Sequence, residues 1–91
     1  MSEPKTKLFI FGAKWCGPCK ALAPIVEKVS KLYPSLAVTK IDVEENPSIA
    51  SKYHVLGLPK LILEKDGKII SEHTGFIAEE NLKRFIADLD G

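Results

Sequence analysis

The sequence predicts an α/β fold: a four-stranded mixed sheet with helices on both faces, in the order β-α-β-α-β-β-α. Three observations lead there. A short apolar run is followed by a stretch of helical period and then by a β-branched run, Asp66-Gly67 sits between two further extended runs, and a helical apolar stripe closes the chain. Strands joined through a helix pair in parallel with a right-handed crossover, whereas strands joined by two residues pair antiparallel.

The elements follow in order. Lys7 to Phe11 is apolar without helical period and is bounded by Gly12. It is predicted as a strand buried on both faces, the kind that parallel sheets use. From Pro18 to Tyr33 the period changes, with Leu22, Ile25, Val26, Val29 and Leu32 at spacings of three and four. These define one face of a helix, and Pro34 stops it because the residue before a proline avoids the helical region. Pro24 lies inside this helix, removes one hydrogen bond and crowds the carbonyl of Lys20, so a kink is expected. Leu36 to Val43 carries β-branched Val38, Thr39, Ile41 and Val43 and is predicted as a strand. Asn46-Pro47 has the form of a helix N-cap with proline at the first helical position, and Ile49, Ala50 and Tyr53 are expected inward. Lys60 to Glu64 and Lys68 to Thr74 form a hairpin about Asp66-Gly67. Leu82, Phe85, Ile86 and Leu89 line a last helix, with Glu79 and Glu80 at its positive end.

At 91 residues the chain is expected to be a single domain spanning residues 1–91. Hydrophobic residues make up 45% and charged residues 27%, the composition of an ordinary globular protein. Thirteen basic residues face 12 acidic ones, so neither a nucleic-acid stripe nor an acidic tail is present. No apolar run approaches the ~20 residues of a membrane span, and the polar start lacks a secretory apolar segment. The expected address is the cytoplasm, with no nucleic-acid or membrane partner.

Cys16 and Cys19 are the only cysteines. A bridge between them would close a tiny loop and constrain the unfolded chain little, which makes a structural disulfide a poor explanation. Cys16 falls between a strand end and a helix start, and Pro18 suits the first helical turn. The free N–H groups and positive end of that helix then face the Cys16 sulfur and favour its thiolate, the reactive form. Cys19, one turn in, is expected to be the more shielded sulfur and to resolve the mixed disulfide that Cys16 forms. The same spacing also serves zinc, iron–sulfur clusters and haem. A closed zinc site needs four ligands, His54 and His73 have no ligand spacing to the pair, and no histidine follows Cys19. No metal is expected. Both histidines are expected on the surface.

The segment Phe11-Gly12-Ala13-Lys14-Trp15-Cys16-Gly17-Pro18-Cys19-Lys20-Ala21-Leu22-Ala23-Pro24 resembles the active-site segment of thioredoxins. Lys40 to Pro47 resembles their strand exit and helix cap, Gly57-Leu58-Pro59 their Gly-Ile-Pro loop, and Lys65-Asp66-Gly67 their hairpin turn. The likeness covers roughly residues 7 to 90. It implies a thioredoxin-like fold and reduction of oxidised protein substrates by dithiol exchange through Cys16 and Cys19. It also implies recharging by a thioredoxin reductase, with no cofactor beyond the Cys16–Cys19 disulfide. As support residues it implies Trp15, Gly17, Pro18, Pro59 and Lys40. For substrate binding it implies Trp15, Leu58, a cis Pro59, Gly75 and Phe76. A monomer is expected.

The chain departs from that pattern in three ways. The family's first strand and helix are missing, which makes this a short, glutaredoxin-sized version. Ile10 stands where the family has a buried Asp, and Gly12 where it has a Trp, which is expected to leave one face of the site less covered. With no carboxylate at position 10, a tighter core is expected beneath the motif. Lys40, the partner of that Asp in the family, is expected to reach toward solvent along its stem. Two other functions stand beside the redox one. Two chains could share a metal or cluster through four cysteines, or the fold could serve as a scaffold, for which Trp-Cys-Gly-Pro-Cys has no use.

Overall fold

Alternation along the first strand decides which helix lies on which face of the sheet. In the computed structural model, which describes residues 6–87, β1 (Thr6–Gly12) sends Leu8 and Ile10 toward one face and Phe9 and Phe11 toward the other. The remaining elements are α1 (Gly17–Ser30), β2 (Leu36–Asp42), α2 (Pro47–Lys52), β3 (Lys60–Lys65), β4 (Lys68–Thr74) and α3 (Glu79–Ala87). This is the predicted order. The sheet runs β2-β1-β3-β4, parallel between β1 and β2 and antiparallel elsewhere.

Leu8 meets Leu22, Val26 and Val29 of α1, Leu61 and Leu63 of β3, and Leu82 and Ile86 of α3 in the main core. On the opposite face Tyr53, at the end of α2, packs against Phe9 and Phe11 with ring centroids 5.8 and 5.7 Å away. Asp66 and Gly67 both have positive φ, 53° and 81°, the two-residue turn that matches strand twist and that Asp-Gly signals. β4 carries a bulge where it passes Leu63 and Glu64: Ser71 and Ile69 take the paired positions and Ile70 is the extra residue.

Four expectations need correction. α1 ends at Ser30, not Tyr33: the N–H groups of Leu32 and Tyr33 reach only three residues back, to Val29 and Ser30, and the tightened end turns Leu32 outward, 58% exposed. Asn46 holds the N-cap position of α2 but donates its amide to the Asp42 carbonyl at 3.1 Å, so its side chain caps nothing. Ile49 lies outward, because the short α2 buries none of its residues fully. β2 stops at Asp42, one residue before Val43. Leu89, assigned to the last helix, lies outside the described residues.

α1 and α3 are tied by an ion pair from Lys28 to Glu79 at 3.2 Å, and Lys83 reaches Glu79 at 3.4 Å. The hydrogen bond from Lys28 is the main cause that lowers the Glu79 pKa from its ordinary 4.5. A depressed carboxylate pKa stabilises the fold above the unfolded value, and the contribution disappears as the pH falls through the folded one. Glu79→Gln is therefore expected to lower the urea midpoint slightly at neutral pH, and the two proteins should converge in acid, as the pH falls through the folded Glu79 pKa. A difference that persists in acid would assign the effect to packing instead.

Candidate active site

The turn out of β1 places the cysteines. The Cys16 N–H closes it on the Ala13 carbonyl at 3.1 Å, and Cys16 takes the N-cap position of α1 with extended backbone. Gly17-Pro18 forms the first turn, where the missing proline N–H is not needed. The Cys19 N–H donates to the Cys16 sulfur at 3.2 Å, so Cys16 does with sulfur what a serine oxygen does at other helix starts. The two sulfurs are joined as a disulfide, with Cα atoms 5.3 Å apart.

The exposure of the pair is the reverse of the expectation. Cys16 is buried, 4% exposed, whereas Cys19 is half-buried. Gly12 is the reason: it has no side chain to cover Cys19, and a Cβ built there would lie 3.3 Å from the Cys19 sulfur. The tighter core expected beneath the motif is absent for the same reason. A cavity of about 180 Å³ opens there, between α1 and β2, with Ile10 and Cys19 in its walls.

On the other side of the disulfide is a larger groove of about 470 Å³. Residues 15 to 18 form one wall and residues 55 to 58 the other, so Trp15, Gly17, Pro18 and Leu58 converge there as expected. The Leu58–Pro59 bond is cis and Pro59 is buried. Gly75 donates its N–H to the Pro59 carbonyl at 2.7 Å, which brings its loop beside this segment, and Phe76 follows half-exposed. Lys40 is not brought to the groove. It pairs with Ile10 in the β1–β2 register and lines the smaller cavity instead.

Trp15 is 67% exposed and held at the rim by its indole N–H, which donates to a Glu44 carboxylate oxygen at 3.0 Å. Asp42 shapes that loop: one carboxylate oxygen accepts the N–H groups of Glu44 and Glu45 at 2.8 and 3.2 Å. Lys14 pairs with Glu45 at 3.5 Å. Glu44, Val55 and Leu56 were not singled out from the sequence. Their signal was an apolar pair directly before Gly57-Leu58-Pro59 and an acid within the Lys40–Pro47 block; in the structure Leu56 is 98% exposed. His54 is exposed and His73 is half-buried, its Nε2 3.3 Å from the Phe76 carbonyl oxygen. Among the described residues no three His, Cys, Asp or Glu side chains gather at one point, and no helix is long and apolar enough to cross a membrane.

Ile10→Asp tests the setting of Cys19. It would put a carboxylate in an apolar wall and is expected to cost about 1–3 kcal/mol, read from urea midpoints. It should also add a titration to the pH profile of disulfide reduction. An unchanged midpoint with a superimposable profile would mean that position 10 does not lie beside Cys19.

The family model described as Thioredoxin matches residues 1–88. A thioredoxin of Staphylococcus epidermidis is 47% identical over 81 residues, 88% of this chain and 78% of that one. One of Staphylococcus aureus is 46% identical over the same shares. Among solved structures, a mutant thioredoxin from Halobacterium salinarum superposes with a TM-score of 0.88 at 42% identity, over 96% of this chain and 76% of that one. Thioredoxin from Fasciola hepatica gives 0.87 at 34%, over 96% and 83%.

Proposed function

The chain belongs to the thioredoxin family, and on that footing we propose that Cys16 is its attacking sulfur, Cys19 its resolving one, and the groove over Cys16 the seat of an extended, apolar segment of an oxidised protein. The activity itself is thiol–disulfide exchange that reduces protein disulfides. Family members act on disulfide substrates and draw electrons from a thioredoxin reductase.

The reading rests above all on the Cys19 N–H directed at the Cys16 sulfur at the start of a 14-residue helix. That N–H and the positive helix end stabilise negative charge on Cys16. The Cys16 thiolate attacks one substrate sulfur, the substrate S–S bond breaks, and the other substrate sulfur leaves as a thiolate. Cys19 then gives its proton to water or to the departing substrate thiolate and attacks the Cys16 sulfur. The mixed disulfide breaks, the second substrate thiolate departs, and two electrons have passed from protein to substrate. Leu58 offers backbone N–H and C=O groups to a substrate strand across the groove. Trp15, Val55 and Leu56 give that groove apolar walls, which favours substrates with apolar residues beside the disulfide. Gly17 and Pro18 hold the turn, and Gly75 and Phe76 extend the surface past Pro59.

The exchange needs only the two sulfurs, so the protein works as one domain, as a monomer and without a cofactor. A pair that must be kept reduced suits a reducing compartment such as the cytoplasm. The test is insulin reduction with NADPH and a thioredoxin reductase. Turnover is expected with the parent, and Leu56→Asp should raise the KM for insulin several-fold while leaving the melting curve unchanged, since the side chain is 98% exposed. Failure of the parent to reduce insulin would refute the reading. An unchanged KM would remove residues 55 to 58 from the substrate surface.

A further inference from the structure

The disulfide lies between two openings that share no residue. The groove reaches Cys16, and the smaller cavity reaches Cys19 from the far side, between α1 and the edge strand β2. Reduction of protein disulfides uses the first and leaves the second without a role.

We propose that the cavity is a second entrance to the disulfide, through which a low-molecular-weight thiol attacks Cys19 and recharges the oxidised protein without a reductase. The proposal rests on the exchange reading, because it concerns the same disulfide. Access carries it first. Gly12 is a wall of the cavity, and the Cβ it lacks would stand 3.3 Å from the Cys19 sulfur. Cys19 is half-buried, whereas Cys16 is only 4% exposed. Size then selects the reductant. The cavity is half open and measures about 180 Å³, and an engineered cavity of ~150 Å³ takes up benzene. A thiol of a few carbons enters it, and a protein loop does not. The lining holds one cation, Lys40, and one acid, Asp42, so charge favours neither sign of reductant and bulk is the filter.

The direction of bond breaking carries it further. A disulfide opens faster when the departing sulfur is the better thiolate. Attack on Cys19 expels Cys16, whose sulfur accepts the Cys19 N–H at 3.2 Å and holds the N-cap of α1. Negative charge is stabilised there. Attack on Cys16 would instead expel Cys19, one turn inside the helix and away from its positive end. The small thiolate thus forms a bond to the Cys19 sulfur, the Cys16–Cys19 bond breaks, and Cys16 departs as a thiolate. A second thiolate then attacks the sulfur of the bound reductant. A small disulfide leaves, and Cys19 takes up a proton as a free thiol. Two electrons have passed from two small thiols to the protein.

The experiment mixes the oxidised protein with excess 2-mercaptoethanol, quenches with acid, alkylates with N-ethylmaleimide and reads the products by tandem mass spectrometry. The intermediate is expected to carry mercaptoethanol on Cys19 and the alkyl group on Cys16. The reduction rate is measured for the parent, Gly12→Ala and Gly12→Trp, each as a ratio to its rate with NADPH and thioredoxin reductase, a protein whose thiol has to use the groove. The ratio should fall in that order, several-fold or more for Gly12→Trp. Gly12→Ala adds a single carbon and keeps the test if Gly12→Trp folds poorly. An unchanged ratio in a folded variant would overturn the second entrance, as would an adduct on Cys16 with Cys19 free. Insulin turnover by the parent separates the two readings. If insulin is reduced and the ratio does not move, only the second entrance falls; if insulin is not reduced, the exchange reading falls with it.

Discussion

Cys16→Ser is expected to lose insulin reduction by several orders of magnitude, and Cys19→Ser to lose turnover while accumulating protein joined to substrate. The two variants differ because exchange has two chemical steps and each sulfur performs one. Without the Cys16 sulfur, no thiolate remains at the helix N-terminus to open the substrate disulfide, and serine is a far weaker nucleophile at its ordinary pKa. Without the Cys19 sulfur the first step still occurs, but nothing close by attacks the mixed disulfide. Non-reducing gels of each variant after mixing with oxidised insulin should show a retarded band for Cys19→Ser only. The opposite pattern would make Cys19 the attacking sulfur. The exposures found here sharpen this test, since Cys19 is the more open of the two in the oxidised protein. If exposure governed attack, Cys19 would lead; if the helix N-terminus governs it, Cys16 will.

Phe11→Ala should be among the most destabilising single changes in the chain. Phe11 is fully buried, lies on the α2 face of β1 and packs on Tyr53. Removing a buried phenyl ring costs about 3–5 kcal/mol through lost transfer energy and the hole left behind. For a chain of this length that corresponds to a drop in Tm of roughly 12 °C or more. Phe11→Leu should retain most of the stability, because hydrocarbon of similar bulk still covers Tyr53. Urea unfolding followed by far-UV circular dichroism measures both. A loss below about 1 kcal/mol for Phe11→Ala would show that the α2 face closes over the gap.

The strands and the hairpin were legible because they depend on local pattern. Val38, Thr39 and Ile41 in succession, and Asp66-Gly67 between two extended runs, leave little choice of backbone. The misreadings fall where tertiary contacts decide. Leu32 fits the period of α1, yet the helix tightens before it, and Ile49 lies outward because so short a helix covers little of the sheet. Asn46 had two possible partners for its side chain, and the Asp42 carbonyl took it. The cysteine motif and the Gly57-Leu58-Pro59 segment could be read directly, but the wall formed by Val55 and Leu56 depends on how the loop before β3 approaches residues 15 to 18. Glycine at position 12, where the family has a Trp, pointed to a less covered face of the site but not to which sulfur it uncovers. A residue without a side chain adds nothing to a hydrophobic pattern, and its consequence, an uncovered sulfur and a hollow beside it, exists only once α1 is laid across β1 and β2.

The bulge in β4 bears on how copies of the chain meet one another. β4 is an edge strand, and Ile69 and Ile70 side by side on it are both 45% exposed. A flat, regular edge with two adjacent isoleucines would be a template for stacking strand upon strand into aggregates. The extra residue bends and twists the strand at that place, so its outer N–H and C=O groups do not stand in one straight row. The irregularity guards against fibrous self-association at the price of one unpaired residue in the ladder.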